Sequence, residues 1–128
     1  MLEDVIVLLN ALGVAGAGDD PLLPYLLGSV CERVRNETNL PEVPEGLRHV
    51  AAELAAGEYL SFRKSAGQLD LDGLNLDAAI KQIQEGDTNV VFAAGDGTLT
   101  PEQRLDALIS RLRRDRSPEF IRYRRLLW

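Results

Sequence analysis

Apolar residues recur at helical spacing along much of this chain, and this recurrence is the feature that most constrains its fold. In residues 21–37 the apolar positions are separated by four, three and four residues, at Leu23, Leu27, Val30 and Val34. Residues 44–62 repeat the pattern at Leu47, Val50, Ala51, Leu54 and Ala55. Such spacing places each set on one face of an α-helix, and each face must bury against another element. The pattern predicts a mostly α protein.

Proline and glycine separate these segments. Residues 2–12 predict a short first helix, which ends at a glycine-rich loop. Asp19 or Asp20 is predicted to cap the second helix, with Pro21 at its first helical position. The connector 39–44 contains two prolines, which exclude helix there. Helices joined by short connectors predict a small helical bundle.

The third helix carries small residues on its inner face. Gly57 follows a run of alanines, and small side chains allow a second helix to approach closely. We therefore expect a close helix contact at this position.

Residues 66–99 do not follow the helical period, and two interpretations remain for their centre. One is a short β-hairpin that pairs residues 79–84 with 88–93, because the second of these ranges is rich in β-forming residues. The alternative is a short helix from Asp77 that Gly86 ends. The hairpin is favoured, and an extended loop is expected where neither forms.

The last part of the chain predicts a C-terminal helical arm. Thr100 is an N-cap candidate, Pro101 takes the first helical position, and a second short helix begins at Ser117. The predicted buried stripe is Leu105, Leu108, Ile109 and Leu112, and the opposite face carries Arg104, Arg111 and Arg114. The sequence thus divides into a helical core (1–65), a loop and hairpin of the same domain (66–99), and the arm (100–128).

Charge is distributed unevenly between these parts. Residues 101–128 contain eight arginines and four acidic residues, a net charge of +4. Residues 1–100 contain six basic and sixteen acidic residues, a net charge of −10. An acidic body and a basic arm predict attraction between neighbouring copies, head to tail, or between the arm and an acidic partner.

The sequence offers no candidate for catalysis, metal binding or cofactor binding. Cys31 is the only cysteine and is predicted to be buried, and His49 is the only histidine. The oxygen-bearing residues at 70–77 are expected to be solvated loop side chains. The apolar run 5–12 is too short to cross a membrane and follows acidic residues, so it is not expected to be a signal peptide. We predict an intracellular protein that is not an enzyme and does not bind membranes.

Arginine and aromatic residues are concentrated in the arm, and these residue types dominate protein interfaces. We predict a contact with a partner or a neighbouring subunit through Arg111, Arg113, Arg114, Arg116, Phe120, Arg122, Tyr123, Arg124, Arg125, Leu127 and Trp128. The alternative is that the arm folds back on its own core.

Four features taken in order resemble a known family. They are a first helix that begins Met1-Leu2-Glu3-Asp4-Val5, the Asp19-Asp20 loop before a long helix that runs into Val34-Arg35-Asn36-Glu37-Thr38-Asn39-Leu40-Pro41-Glu42-Val43-Pro44, a helix from Leu47 to Leu60, and the segment Ile83-Gln84-Glu85-Gly86-Asp87-Thr88-Asn89-Val90-Val91-Phe92. Over roughly residues 1–93 the chain resembles the head–tail connector proteins of tailed bacteriophages and prophages, also called adaptor or head-completion proteins.

The resemblance implies a structural protein of the virion neck, assembled in the host cytoplasm. Subunits of this family form a ring, commonly a dodecamer, that docks on the portal protein, extends the DNA channel and provides a platform for the next neck or tail protein. DNA passes through such a channel without specific binding, and the family has no catalytic residues. The portal contacts of the family tend to lie in the C-terminal segment. The competing hypothesis is a small helical regulatory or nucleic-acid-binding protein that uses the basic arm.

Overall fold

The structure, a computed structural model, describes residues 1–14, 16–67 and 101–124. In these residues the ordered elements are all helical, which confirms the predicted mostly α bundle. The α-helices are α1 (Leu2–Ala11), α2 (Leu22–Thr38), α3 (Arg48–Ser65), α4 (Pro101–Leu112) and α5 (Ser117–Tyr123), and two 3-10 turns are formed by Ala17–Asp19 and Glu45–Leu47. The predictions for the 79–93 hairpin or short helix, the 70–77 loop, the Thr100 cap, Arg125, Leu127 and Trp128 lie outside the described residues.

The two ends of α2 are formed by short polar residues. Asp20 Oδ1 accepts a hydrogen bond from the Leu22 backbone N–H at 3.0 Å, which confirms the predicted aspartate cap. Pro21 lies at the N-cap position, one residue before the helix it was predicted to begin. At the other end Asn39 adopts a left-handed conformation, with φ of 57°, and its N–H bonds to the Arg35 carbonyl.

The third helix begins later than predicted. Pro44 is extended, and its carbonyl accepts a hydrogen bond from the Leu47 N–H at 2.9 Å. This bond spans three residues, so Glu45–Leu47 form a 3-10 turn and the α-helix starts only at Arg48.

The core is centred on α3, which packs against α1, α2 and α4, while α5 packs against α2. The apolar positions predicted for α2, α3 and α4 are all buried. Gly57 lies where α3 meets the end of α4: a Cβ there would be 2.7 Å from Arg113 Cγ and 2.9 Å from Leu112 Cβ, so the predicted close approach is confirmed. Residues 101–124 are therefore part of the bundle, and the fold-back of the arm on its own core is what the structure shows for them.

Candidate protein interface

Arg116 was predicted to contact a partner, but its side chain is buried within its own chain. It is 2% exposed, Nη2 donates to the Leu112 carbonyl at 3.2 Å, and the same atom lies 3.6 Å from Glu53 Oε2 on α3. Burial lowers the pKa of Arg116, and the Glu53 carboxylate opposes that shift. This residue joins the α4–α5 turn to α3 and offers no surface to another protein.

The Arg113 side chain also contacts residues of its own chain. Its Nε lies 3.2 Å from Glu58 Oε1, and its Nη1 donates to Ser61 Oγ at 3.2 Å. Arg33 Nη2 lies 3.8 Å from the same Glu58 oxygen. One carboxylate on α3 therefore attracts a guanidinium from α2 and another from the residue that follows α4. Both guanidiniums remain partly exposed, so these ion pairs contribute little to stability.

Arg111 and Arg114 lie between the surface and the core. Arg114 Nη1 donates to the Arg111 carbonyl at 2.9 Å, and both side chains are half-buried. Burial lowers the pKa of Arg111, and the positive charges of Arg114 and Arg116 add to that shift. The face of α4 opposite its predicted buried stripe is thus partly buried as well.

Among the described residues of the predicted interface, those at the end of α5 are exposed to solvent and form no ion pair. Phe120 is 7% exposed and packs in the core, whereas the next four residues, Ile121–Arg124, are all exposed. We name these four residues the α5 tip. Ile121 is 66% exposed and Tyr123 is 39% exposed. Neither Arg122 nor Arg124 forms an ion pair with any other described residue.

Tyr123 positions the α5 tip against the body of the protein. Its hydroxyl lies against Gly46 in the second 3-10 turn, and a Cβ at Gly46 would overlap it. The tip is therefore held at its base by Phe120 and at its far side by Tyr123. The aliphatic side chain of Ile121 and the guanidiniums of Arg122 and Arg124 are left facing outward.

A second exposed surface, which the sequence reasoning did not identify, lies on the outer side of α1. Val7 is 67% exposed, and the exposed Glu3 precedes it by one helical turn. The first 3-10 turn lies beside α1, because a Cβ at Gly18 would be 3.7 Å from Ile6 Cδ1. Asp19, the next residue along the chain, is also exposed. We name Glu3, Asp4, Val7 and Asp19 the α1 acidic face. The sequence contained an indication of this exposed surface, because α1 has more apolar residues than one buried face requires.

The residues considered for catalysis occupy ordinary environments. Cys31 is buried, burial raises the pKa of its thiol, and its sulfur lies 3.8 Å from that of Met1. His49 is exposed on α3. Within residues 1–14, 16–67 and 101–124, no three His, Cys, Asp or Glu side chains are placed to hold a metal ion. No helix in this part of the chain is both long and apolar enough to span a membrane.

A cleft lies between α2 and α3, and its described lining brings no reactive groups together. Its volume is about 420 Å³ and its lining includes Leu26, Phe62 and Glu58. Among the described lining residues, Glu58 is the only ionisable side chain, and it lies within ion-pair distance of Arg33 and Arg113. The described part of the lining thus lacks the converging polar groups that define a typical active site.

A scan of the sequence against protein-family models found no match, and neither did searches of the curated proteins and the solved structures. The resemblance to head–tail connector proteins depends on the residues quoted above and stays a prediction.

Proposed function

We propose that this chain is a structural assembly subunit of the head–tail connector type. In this role it forms a ring that docks on a portal protein, extends the DNA channel and offers a platform to the next neck or tail protein. The observation that carries the proposal is the α5 tip, where an exposed isoleucine and tyrosine alternate with two arginines that have no ion-pair partner among the described residues.

The composition of the tip favours protein binding. Arginine and aromatic side chains supply most of the binding energy of protein interfaces, because they combine a large apolar contact area with directional hydrogen bonds. Ile121 and Tyr123 provide that area here, and the fixed base of the tip reduces the entropy lost on binding. A helical bundle that holds such a tip in place has the character expected of an assembly subunit.

The helix order is the one that the resemblance implies: a short first helix, a long second helix that follows an aspartate cap, and a third helix.

The test is co-sedimentation of the full chain with the portal ring encoded in the same genome. We expect the wild-type chain to sediment with the ring, and we expect the combined Ile121→Ser, Arg122→Ser and Arg124→Ser variant to remain in the supernatant. The matched control removes an exposed aromatic residue and an arginine from α2, as Tyr25→Ser with Arg33→Ser, and should still sediment.

All variants are first compared by far-UV circular dichroism and thermal unfolding, because only folded proteins give an interpretable binding result. A wild-type chain that does not bind the portal ring would overturn the proposal. Equal binding by the tip variant would show that the tip takes no part in assembly on the portal ring.

A further inference from the structure

We propose that a second copy of this chain docks its α5 tip on the α1 acidic face. The inference rests on the proposed function and identifies the two surfaces through which neighbouring subunits would meet. It depends on three observations. The acidic face has an exposed apolar centre and negative charge, the tip has an exposed apolar centre and positive charge, and no ion pair joins the two within the described residues of one chain.

The acidic face combines an apolar centre with negative charge. Val7 is 67% exposed in the middle of the outer side of α1, and Ile6 is partly exposed beside it. Glu3 and Asp19 are exposed and form no ion pair with another described residue. Asp4 lies 3.6 Å from Arg48 Nη2, with both side chains about half exposed, so solvent weakens that pair.

The α5 tip has the opposite charge and a similar apolar centre. Ile121 is as exposed as Val7, and Arg122 and Arg124 carry the positive charges around it. Docking would bury one aliphatic side chain against the other and bring the two guanidiniums toward Glu3 and Asp19. Such pairing of apolar centres and complementary rims increases both the specificity and the association rate of a contact.

Within the described residues, the same chain provides no ion-pair partner for Glu3, Asp19, Arg122 or Arg124. Tyr123 lies against Gly46, and no ion pair in the described residues joins Arg122 or Arg124 to an acidic residue of α1 or of the first 3-10 turn. The complementary groups are therefore available to another copy. Because the two surfaces differ, each bound copy still offers one surface to the next, and repetition of the contact produces a closed ring or an open filament.

The test is sedimentation velocity of the full chain from micromolar to millimolar concentration, in about 0.05 M and about 0.5 M salt. We expect reversible self-association that the higher salt weakens. The tip variant Arg122→Glu with Arg124→Glu and the face variant Glu3→Lys with Asp19→Lys should each associate at least about tenfold more weakly than wild type. The matched control, Glu32→Lys with Glu42→Lys on other exposed positions, has the same charge change as the face variant and should associate as wild type does.

An equimolar mixture of the two weakened variants supplies the decisive result. The glutamates of one variant's tip complement the lysines of the other's face, and the unchanged surfaces also match, so the mixture should recover association. A wild-type chain that is monomeric at every concentration, variants that associate as wild type does, or a mixture that stays monomeric would each overturn the inference.

The inference and the proposed function are tested separately by measuring both self-association and portal binding, for the wild-type chain and for the face variant. A chain that binds the portal ring but does not self-associate would refute the pairing of tip and acidic face while the proposed function stands. A chain that self-associates as described but does not bind the ring would refute the proposed function alone.

Discussion

The phenolic oxygen of Tyr59 donates a hydrogen bond to Asp20 Oδ2 across 2.8 Å, and this contact joins the middle of α3 to the start of α2. Arg63 Nη1 donates to the same phenolic oxygen at 2.9 Å, and its guanidinium carbon lies 5.5 Å from the centroid of the Tyr59 ring. The other oxygen of Asp20 caps Leu22. Tyr59 is fully buried, and its hydroxyl takes part in two hydrogen bonds, one to Asp20 and one from Arg63.

Removal of the Tyr59 hydroxyl should destabilise the bundle. We expect Tyr59→Phe to lower the free energy of unfolding by about 1–2 kcal/mol, because Asp20 and Arg63 both lose a hydrogen-bond partner. Urea unfolding measures this difference. The matched control is Tyr25→Phe, which removes the hydroxyl of a tyrosine that is 73% exposed and should leave stability unchanged. Equal stability of both variants would show that the Tyr59 hydroxyl contributes nothing.

The same contact predicts how stability depends on pH. Hydrogen bonds from the Leu22 N–H and then from Tyr59 lower the pKa of Asp20 below its ordinary value of 3.8. The unfolded chain therefore binds this proton more readily than the folded chain. The stabilisation is fully present above pH 3.8 and is lost as the pH falls through the lower pKa of the folded state.

Unfolding free energies measured from about pH 6 down to about pH 2 should decline less steeply for Asp20→Asn than for wild type. Part of the decline should remain in the variant. Hydrogen bonds from Ser117 lower the pKa of Asp115 as well, so this second carboxyl contributes in the same pH range. If the free energy of unfolding fell equally steeply with pH in both proteins, Asp20 would not be a source of the pH dependence.

The close approach of α3 to the end of α4 predicts opposite effects for two glycines. A Cβ at Gly57 would lie 2.7 Å from Arg113 Cγ and 2.9 Å from Leu112 Cβ, so Gly57→Ala should force the helices apart and destabilise the protein by about 1–3 kcal/mol. Gly28 is exposed on α2, and a Cβ added there would meet no described atom outside its own stretch of helix within 4 Å. Gly28→Ala should therefore stabilise the protein by about 0.5–1 kcal/mol, through helix propensity alone. Thermal unfolding distinguishes the two signs, and a stabilising Gly57→Ala would contradict the packing.

The helices and their buried faces could be predicted because each depends on spacing within one segment. Leu23, Leu27 and Val34 are buried, as their helical spacing predicts. Gly57 lies at a close contact between helices, which is possible because glycine has no side chain. Helix boundaries were less accurate. The start of α3 depends on a 3-10 hydrogen bond after Pro44 that no apolar pattern encodes.

The candidate interface was predicted only in part, since its burial depends on how separate segments pack together. A run of arginines on one helix indicates a solvated face, and nothing in its spacing shows that the chain turns back over it. Arg116 is buried because α5 follows immediately and Glu53 lies across from it on α3. The sequence did contain an indication of this contact. Glu53 is the one charged residue in the run Val50–Ala56, and a charge among apolar residues suggests a buried partner of opposite charge.

Arg116 and Arg122 should therefore behave differently when each is replaced by alanine. We expect Arg116→Ala to lower the free energy of unfolding by about 2–3 kcal/mol, because it removes the buried guanidinium that pairs with Glu53 and opens space beside the α4–α5 turn. The loss is moderate because Glu53 keeps some exposure to solvent. Arg122→Ala removes an exposed side chain and should change stability by less than about 0.5 kcal/mol. Chemical denaturation tests both, and equal losses would contradict the burial of Arg116.

Duplex DNA should remain unshifted by this protein in a mobility assay at about 0.1 M salt. The chain carries a net charge of −6, and two of the arginines in its basic segment lie beside acidic partners, Arg113 near Glu58 and Arg116 near Glu53. Saturable binding that weakens steeply with added salt, and that Arg122→Glu with Arg124→Glu abolishes, would instead favour the nucleic-acid-binding hypothesis. Absence of binding fits a channel subunit, because DNA moves most easily past walls that do not hold its phosphates.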